Sequence, residues 1–148
     1  MPGIDDVRRL IGLDNGLATV ATLRRDGTVL ATVVNGGVVD HPLTKEPVVA
    51  FVGRPGTRKV EHLRARPAVT LSWRAGWAWT TVEGRAELIG PDDPAEGVDD
   101  LVLGELLREI YRAAGGGEHE DWTEYDRVVA AERRVAVLVA PARIYTNP

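Results

Sequence analysis

One stretch constrains this chain more than any other. Val48-Val-Ala-Phe-Val52 is a short apolar run rich in β-branched residues, with the length of a buried strand. It breaks at Gly53-Arg-Pro-Gly56, a turn composition. Thr57 then stands where a helix N-cap belongs, and Lys59 to Arg64 reads as a short helix with Val60 and Leu63 on its packing side. Pro67 ends the helix before the next extended segment. This order places Thr57, Arg58 and Lys59 at the positive end of a helix dipole, beside backbone N–H groups that have no intrahelical partner. A hydroxyl, two cations and free amides suit an anion, phosphate above all. A charged surface turn accounts for the same residues equally well. The segment has neither the phosphate-loop pattern of two glycines followed by lysine nor the three-glycine dinucleotide fingerprint.

The rest of the chain supplies strands around this unit. Ile4 to Leu13 places Ile4, Val7, Leu10 and Ile11 on one stripe, a short helix that closes an end of the core. Leu17 to Leu23 and Val29 to Val34 read as two strands joined by a tight turn at Arg25-Asp-Gly27. Asn35-Gly-Gly37 permits a bulge or a close backbone approach, and the Asn35 amide could pair with a ring carbonyl and a ring N–H, or simply make a turn. Residues 38–47 read as a loop. Ala68 to Arg74 and Trp77 to Ile89 are two further strands. Trp73, Trp77 and Trp79 cluster there, either as core or dimer packing or as a wall beside a flat ring. A helix from Leu101 to Ala114 ends at Gly115-Gly-Gly117, and a second from Trp122 to Arg133 is capped by Asp121. Between them, Glu118-His-Glu-Asp121 lacks a second histidine at ligand spacing and reads as a solvated loop. Val135 to Ala140 and Arg143 to Tyr145 form the last strand. Six strands with short connections favour an antiparallel sheet closed into a barrel.

Composition removes several function classes. The 148 residues suit one domain, 1–148, with a real core. A net charge of -4 argues against nucleic acid as the main partner, although Arg54, Arg58, Lys59, Arg64 and Arg66 form a local basic run. The absence of cysteine removes disulfides, thiolate metal sites and thiol catalysis, and fits a reducing cytoplasm. No stretch is apolar enough to span a membrane, and the N-terminus does not read as a signal peptide. Serine occurs only as Ser72, in a strand, so a serine triad is excluded. His41, His62 and His119 stand in unrelated contexts. With no catalytic pair in view, the chemistry falls to a cofactor that the protein orients.

Three segments resemble the pyridoxamine-phosphate-oxidase-like split barrels. Leu17-Ala-Thr-Val-Ala-Thr-Leu-Arg-Arg-Asp-Gly27 is similar to their first hairpin, and Gly56 to Pro67 to their phosphate-binding strand–turn–helix. Trp79 to Pro94 is similar to their long fifth strand and the loop after it. Asp121 to Arg127 and Ala131 to Tyr145 resemble the actinobacterial branch that uses the deazaflavin coenzyme F420. The resemblance implies a mainly β fold, a six-stranded antiparallel split barrel with flanking helices. It also implies a homodimer with the cofactor in a groove between subunits. By position, Thr57, Arg58 and Lys59 would hold the phosphate, Asn35 would lie near the ring, and Trp77 and Trp79 would wall the ring or substrate. No metal is implied. The chain lacks the C-terminal Arg/His substrate motif of the true oxidases and ends at Tyr145-Thr-Asn-Pro148, which turns the expectation away from vitamin B6. The expected activity is hydride transfer from reduced F420 to a small electron-poor acceptor. An FMN enzyme of the same fold, a non-catalytic F420 carrier and a cofactor-free dimer are the alternatives.

Overall fold

A computed structural model of the protein describes residues 1–147. Six strands, β1 (Leu17–Leu23), β2 (Val29–Asp40), β3 (Pro47–Gly53), β4 (Ala68–Ala75), β5 (Ala78–Ile89) and β6 (Val135–Thr146), form a closed antiparallel barrel in the order β1-β2-β3-β6-β5-β4. Four helices flank it: α1 (Ile4–Leu13), α2 (Arg58–Ala65), α3 (Asp100–Tyr111) and α4 (Trp122–Ala131). The expected mainly β, six-stranded barrel with flanking helices is therefore the fold.

The strand alternation divides the apolar residues into two cores. Val20, Val49, Phe51, Leu71, Trp73, Val82, Val135, Val137 and Val139 point into the barrel. Val7, Leu10 and Ile11 of α1 and Val60 and Leu63 of α2 join the same cluster, so both helices pack on the barrel interior. The opposite faces of β3 and β6, through Val48, Ala50, Ala136 and Leu138, pack against Leu106, Leu107 and Ile110 of α3 and Val129 of α4. Burial on both faces explains why these two strands read as unbroken apolar runs while the others alternate.

One sequence expectation is corrected. Residues 38–40 are not loop: β2 runs through the glycine pair to Asp40, with Val38 facing the barrel cluster and Val39 facing α3. The last strand is a single strand, as expected, and a bulge opposite Glu83 and Gly84 carries it through Pro141. The end of α3 widens into a π-type turn, Arg112–Gly116, and its helical geometry breaks in the expected glycine run, where Gly115 takes φ 90°. Gly37 of β2 is what admits this turn: a Cβ there would lie 2.4 Å from the carbonyl of Ala113. Strand and turn therefore meet backbone to backbone. Aspartates cap α3 and α4, the second as expected from the sequence. The Asp99 carboxylate accepts from the N–H of Val102 at 2.9 Å, and Asp121 accepts from Glu124 at 3.1 Å.

Candidate functional site

The outer face of β2 is split in two. Gly37 and Val39 lie under the α3 layer, whereas Val29, Ala31, Val33 and Asn35 are exposed. Asn35 thus stands where the helical layer stops. A cleft of about 580 Å³ opens at this border. Its floor comes from Val33, Asn35 and Val52; its far end comes from the β3–α2 turn with Arg54, Thr57 and Lys59; Arg134 enters from the start of β6. Tyr111, Ala114, Gly116, His119 and Tyr125 make the facing wall.

The local sequence fixes each of these groups. β3 and β6 pair with Gly53 opposite Val135, which brings Arg54 and Arg134 together one step beyond the ladder. Glu132 lies between them, 3.3 Å from Arg54 and 3.2 Å from Arg134. The Nε of Arg134 is buried and has no hydrogen-bond partner among the described residues. Thr57 occupies the N-cap position of α2 in extended backbone, yet its hydroxyl donates to the Arg54 carbonyl at 2.8 Å and does not cap the helix. That contact folds the turn and leaves the first α2 amides unpaired by a cap. Lys59 differs from its neighbours. It is half-buried and in no ion pair among the described residues, and burial holds its ammonium below the usual lysine range. A desolvated cation with no carboxylate beside it is suited to an anionic ligand.

Of the residues expected at a site, Asn35, Thr57 and Lys59 line this cleft together. Arg58 is exposed and does not line it. Trp77 and Trp79 lie on the β4–β5 hairpin and line no part of it; Trp77 is 90% exposed, and Trp79 packs edge-on against Tyr145 with ring centroids 6.2 Å apart. Trp73, the third of that cluster, is core: it is 1% exposed, and its indole N–H donates to the Gly36 carbonyl at 3.1 Å.

Sequence reasoning missed the facing wall and Arg134. Tyr111, His119, Trp122 and Tyr125 form one aromatic cluster, with centroid separations from 5.2 to 5.6 Å. The segment read as a solvated loop therefore carries a ring, His119, that packs on three others. The Tyr125 hydroxyl donates to the Leu107 carbonyl at 2.9 Å, and burial raises its pKa above the ordinary tyrosine value. The available signal was spacing: Trp122 and Tyr125 are three residues apart at the start of a helix and share a face. Among the described residues no group of three or more ligating side chains converges on a metal position, and no helix is long and apolar enough to cross a membrane.

Comparison with known proteins agrees with this architecture. A family model described as pyridoxamine 5'-phosphate oxidase matches residues 5–147. A conserved hypothetical protein from Mycobacterium tuberculosis superposes with a TM-score of 0.69 at 16% identity, over 99% of this chain and 84% of that one. An F420 reductase superposes at 0.63 and 17% identity, over 98% of each chain. A heme binding protein from Mycobacterium smegmatis gives 0.59 at 14% identity, over 99% of this chain and 58% of that one. These likenesses show a shared fold.

Proposed function

The chain belongs to the pyridoxamine 5'-phosphate oxidase family, and from that membership we propose that it is an oxidoreductase that binds a phosphate-bearing flavin-type cofactor, coenzyme F420, in the cleft beside Asn35. The observation that carries the reading is Lys59, a partly desolvated ammonium with no carboxylate partner among the described residues, set beside Thr57, Arg54 and Arg134. When bound, such a cofactor supplies the hydride chemistry in its ring. The chain's own task is placement. Lys59, with the free amides at the start of α2, holds the phosphate; Arg54 and Arg134 add positive potential; Asn35 meets the ring edge through its amide. The half-buried Tyr111 and Tyr125 limit water around the reacting atoms.

A homodimer is part of the reading. Register pairs Leu17 with Asn35, Thr19 with Val33 and Leu23 with Val29 on one outward face. On it Leu17, Val29 and Val33 are 49%, 54% and 64% exposed. Val33 and Asn35 belong to both this apolar face and the cleft, so a second copy seated there would close the cleft. Trp77 and Trp79 stand away from the cleft of their own chain, so their part in the ring wall would be played in a partner's cleft. Flavin mononucleotide is the second reading, because it presents the same phosphate to Lys59.

The absorption spectrum of the purified protein, with mass spectrometry of any chromophore released on denaturation, tests the proposal. Released F420, or saturable uptake of F420 on titration, is the expected result. Failure to bind either F420 or flavin mononucleotide would overturn it. Oxidation of the reduced coenzyme across a panel of quinones and enones then separates an enzyme from a carrier.

A further inference from the structure

Lys59 is placed from outside the cleft, by the turn that follows β5. In Gly90-Pro-Asp-Asp93 the two end residues exchange both backbone hydrogen bonds, N–H to carbonyl at 3.0 Å each way. Pro91 fixes one φ of the turn. Gly90 lies bare against the start of β6: a Cβ there would come 3.1 Å from the Cα of Val135. Asp92 accepts from both Nε and Nη2 of Arg133, at 3.1 and 2.5 Å, which ties the turn to the residue pair after α4. The turn is therefore a closed unit fixed to the barrel at β5, at β6 and at Arg133.

Its second carboxylate reaches α2. Asp93 accepts from Nε and Nη2 of Arg64, at 2.9 and 2.7 Å, a parallel two-bond fork. Asp93 is only 17% exposed, so this pair is far better shielded than the other ion pairs of the surface. Arg64 stands in the last turn of α2 and Lys59 in its first. A helix of eight residues holds no position by itself. Val60 and Leu63 seat its core side, and the Arg64 fork fixes its far end to the turn. Tilt and rotation of α2 are thereby set, and with them the direction in which Lys59 enters the cleft. Neither Asp93 nor Arg64 lines that cleft.

We propose that Asp93 is a positioning residue for the anion end of the cleft: it touches no ligand, and through its fork with Arg64 it holds α2 in the setting that presents Lys59. The proposal rests on the cofactor reading only for the identity of the anion, because the placement of Lys59 is a property of the protein alone.

Lys45 and Lys59 are the only lysines, which makes the placement of Lys59 directly readable. Reductive methylation with isotope-labelled formaldehyde tags both, and NMR follows their titration, with exposed Lys45 as the internal reference. In wild type, Lys59 should titrate below Lys45, because it is partly desolvated. In Asp93→Asn it is expected to move up toward Lys45, as the loosened helix returns the ammonium to water. Loss of the Asp93 charge alone would move it down, so the sign separates placement from electrostatics. Arg64→Lys keeps the charge and loses the fork; it is expected to act like Asp93→Asn, and it is the milder change to read if Asp93→Asn does not fold. Inorganic phosphate, titrated onto the same signals, should bind about two- to tenfold more weakly in both variants. A folded variant in which Lys59 titrates as in wild type, or shifts down, would overturn the proposal. Wild type whose Lys59 signal answers neither phosphate nor F420 would instead remove the cofactor reading, and the upward shift in the variants would still establish the role of Asp93.

Discussion

The indole N–H of Trp73 donates to the carbonyl of Gly36 at 3.1 Å, and so joins the largest side chain of the barrel core to the residue next to Asn35. Gly36 meets that ring directly: a Cβ there would lie 3.2 Å from the indole. The strand that carries Asn35 is thus held by the core. Trp73→Phe removes the donor and part of the ring. It should destabilise the protein by about 2–4 kcal/mol, combining a lost buried hydrogen bond with a cavity, as read by urea unfolding, and should weaken cofactor binding less than it weakens the fold.

Two glycine-to-alanine changes should move stability in opposite directions. At Gly37 the added methyl would collide with the Ala113 backbone at 2.4 Å, and neither chain can yield without separating β2 from the end of α3. A loss of about 1–3 kcal/mol is expected. Gly104 lies within α3 with nothing within 4 Å of its added Cβ. Gly104→Ala should gain about 0.5–1 kcal/mol from helix propensity alone. Thermal melts of the two variants check both signs.

Glu132 spans Arg54 and Arg134 and so dampens the positive potential of the cleft. Glu132→Gln should tighten phosphate or F420 binding by about two- to fivefold, the range of a partly exposed ion pair, and should steepen its salt dependence. Titration at two salt concentrations measures both effects.

Acid should loosen the α3–α4 pair first. The Arg108 guanidinium holds the Asp126 carboxyl below the usual aspartate range, and the Trp122 indole N–H with Arg112 does the same for Glu118. In the folded state these groups bind fewer protons than in the unfolded chain. Their stabilisation is therefore complete above the unfolded value of about 4 and is lost as pH falls through the lower folded values. Melting temperature should fall below about pH 4, and the gap between wild type and Asp126→Asn should narrow over that fall.

The parts of the site visible in the sequence are those built locally. Val48 to Pro67 encodes strand, turn and helix within twenty residues, and the structure follows it, with α2 beginning one residue earlier at Arg58. The Asn35-Gly36-Gly37 run signalled close backbone approach, and Gly37 against Ala113 is that approach. What the local sequence hid is set by closure of the barrel. Arg134 reaches the cleft only because β6 pairs with β3 in the register that sets Gly53 opposite Val135. His119 looked solvated because its partners Tyr111 and Tyr125 lie on two helices whose packing no local spacing reveals. Val38 and Val39 read as loop because the glycine pair interrupts an alternation that the backbone continues across.

The most direct test is the affinity of F420 for wild type, Lys59→Ala and Arg58→Ala, measured by fluorescence titration alongside a melt of each protein. Lys59 is a desolvated cation of the cleft with no ion pair among the described residues, and Arg58 is exposed outside it. Lys59→Ala should lose about 1.5–3 kcal/mol of binding, roughly ten- to a hundredfold, Arg58→Ala should change affinity by less than about threefold, and the apo melting temperature of Lys59→Ala should be no lower than that of wild type. Equal F420 affinity in wild type and Lys59→Ala, with both proteins folded, would contradict it.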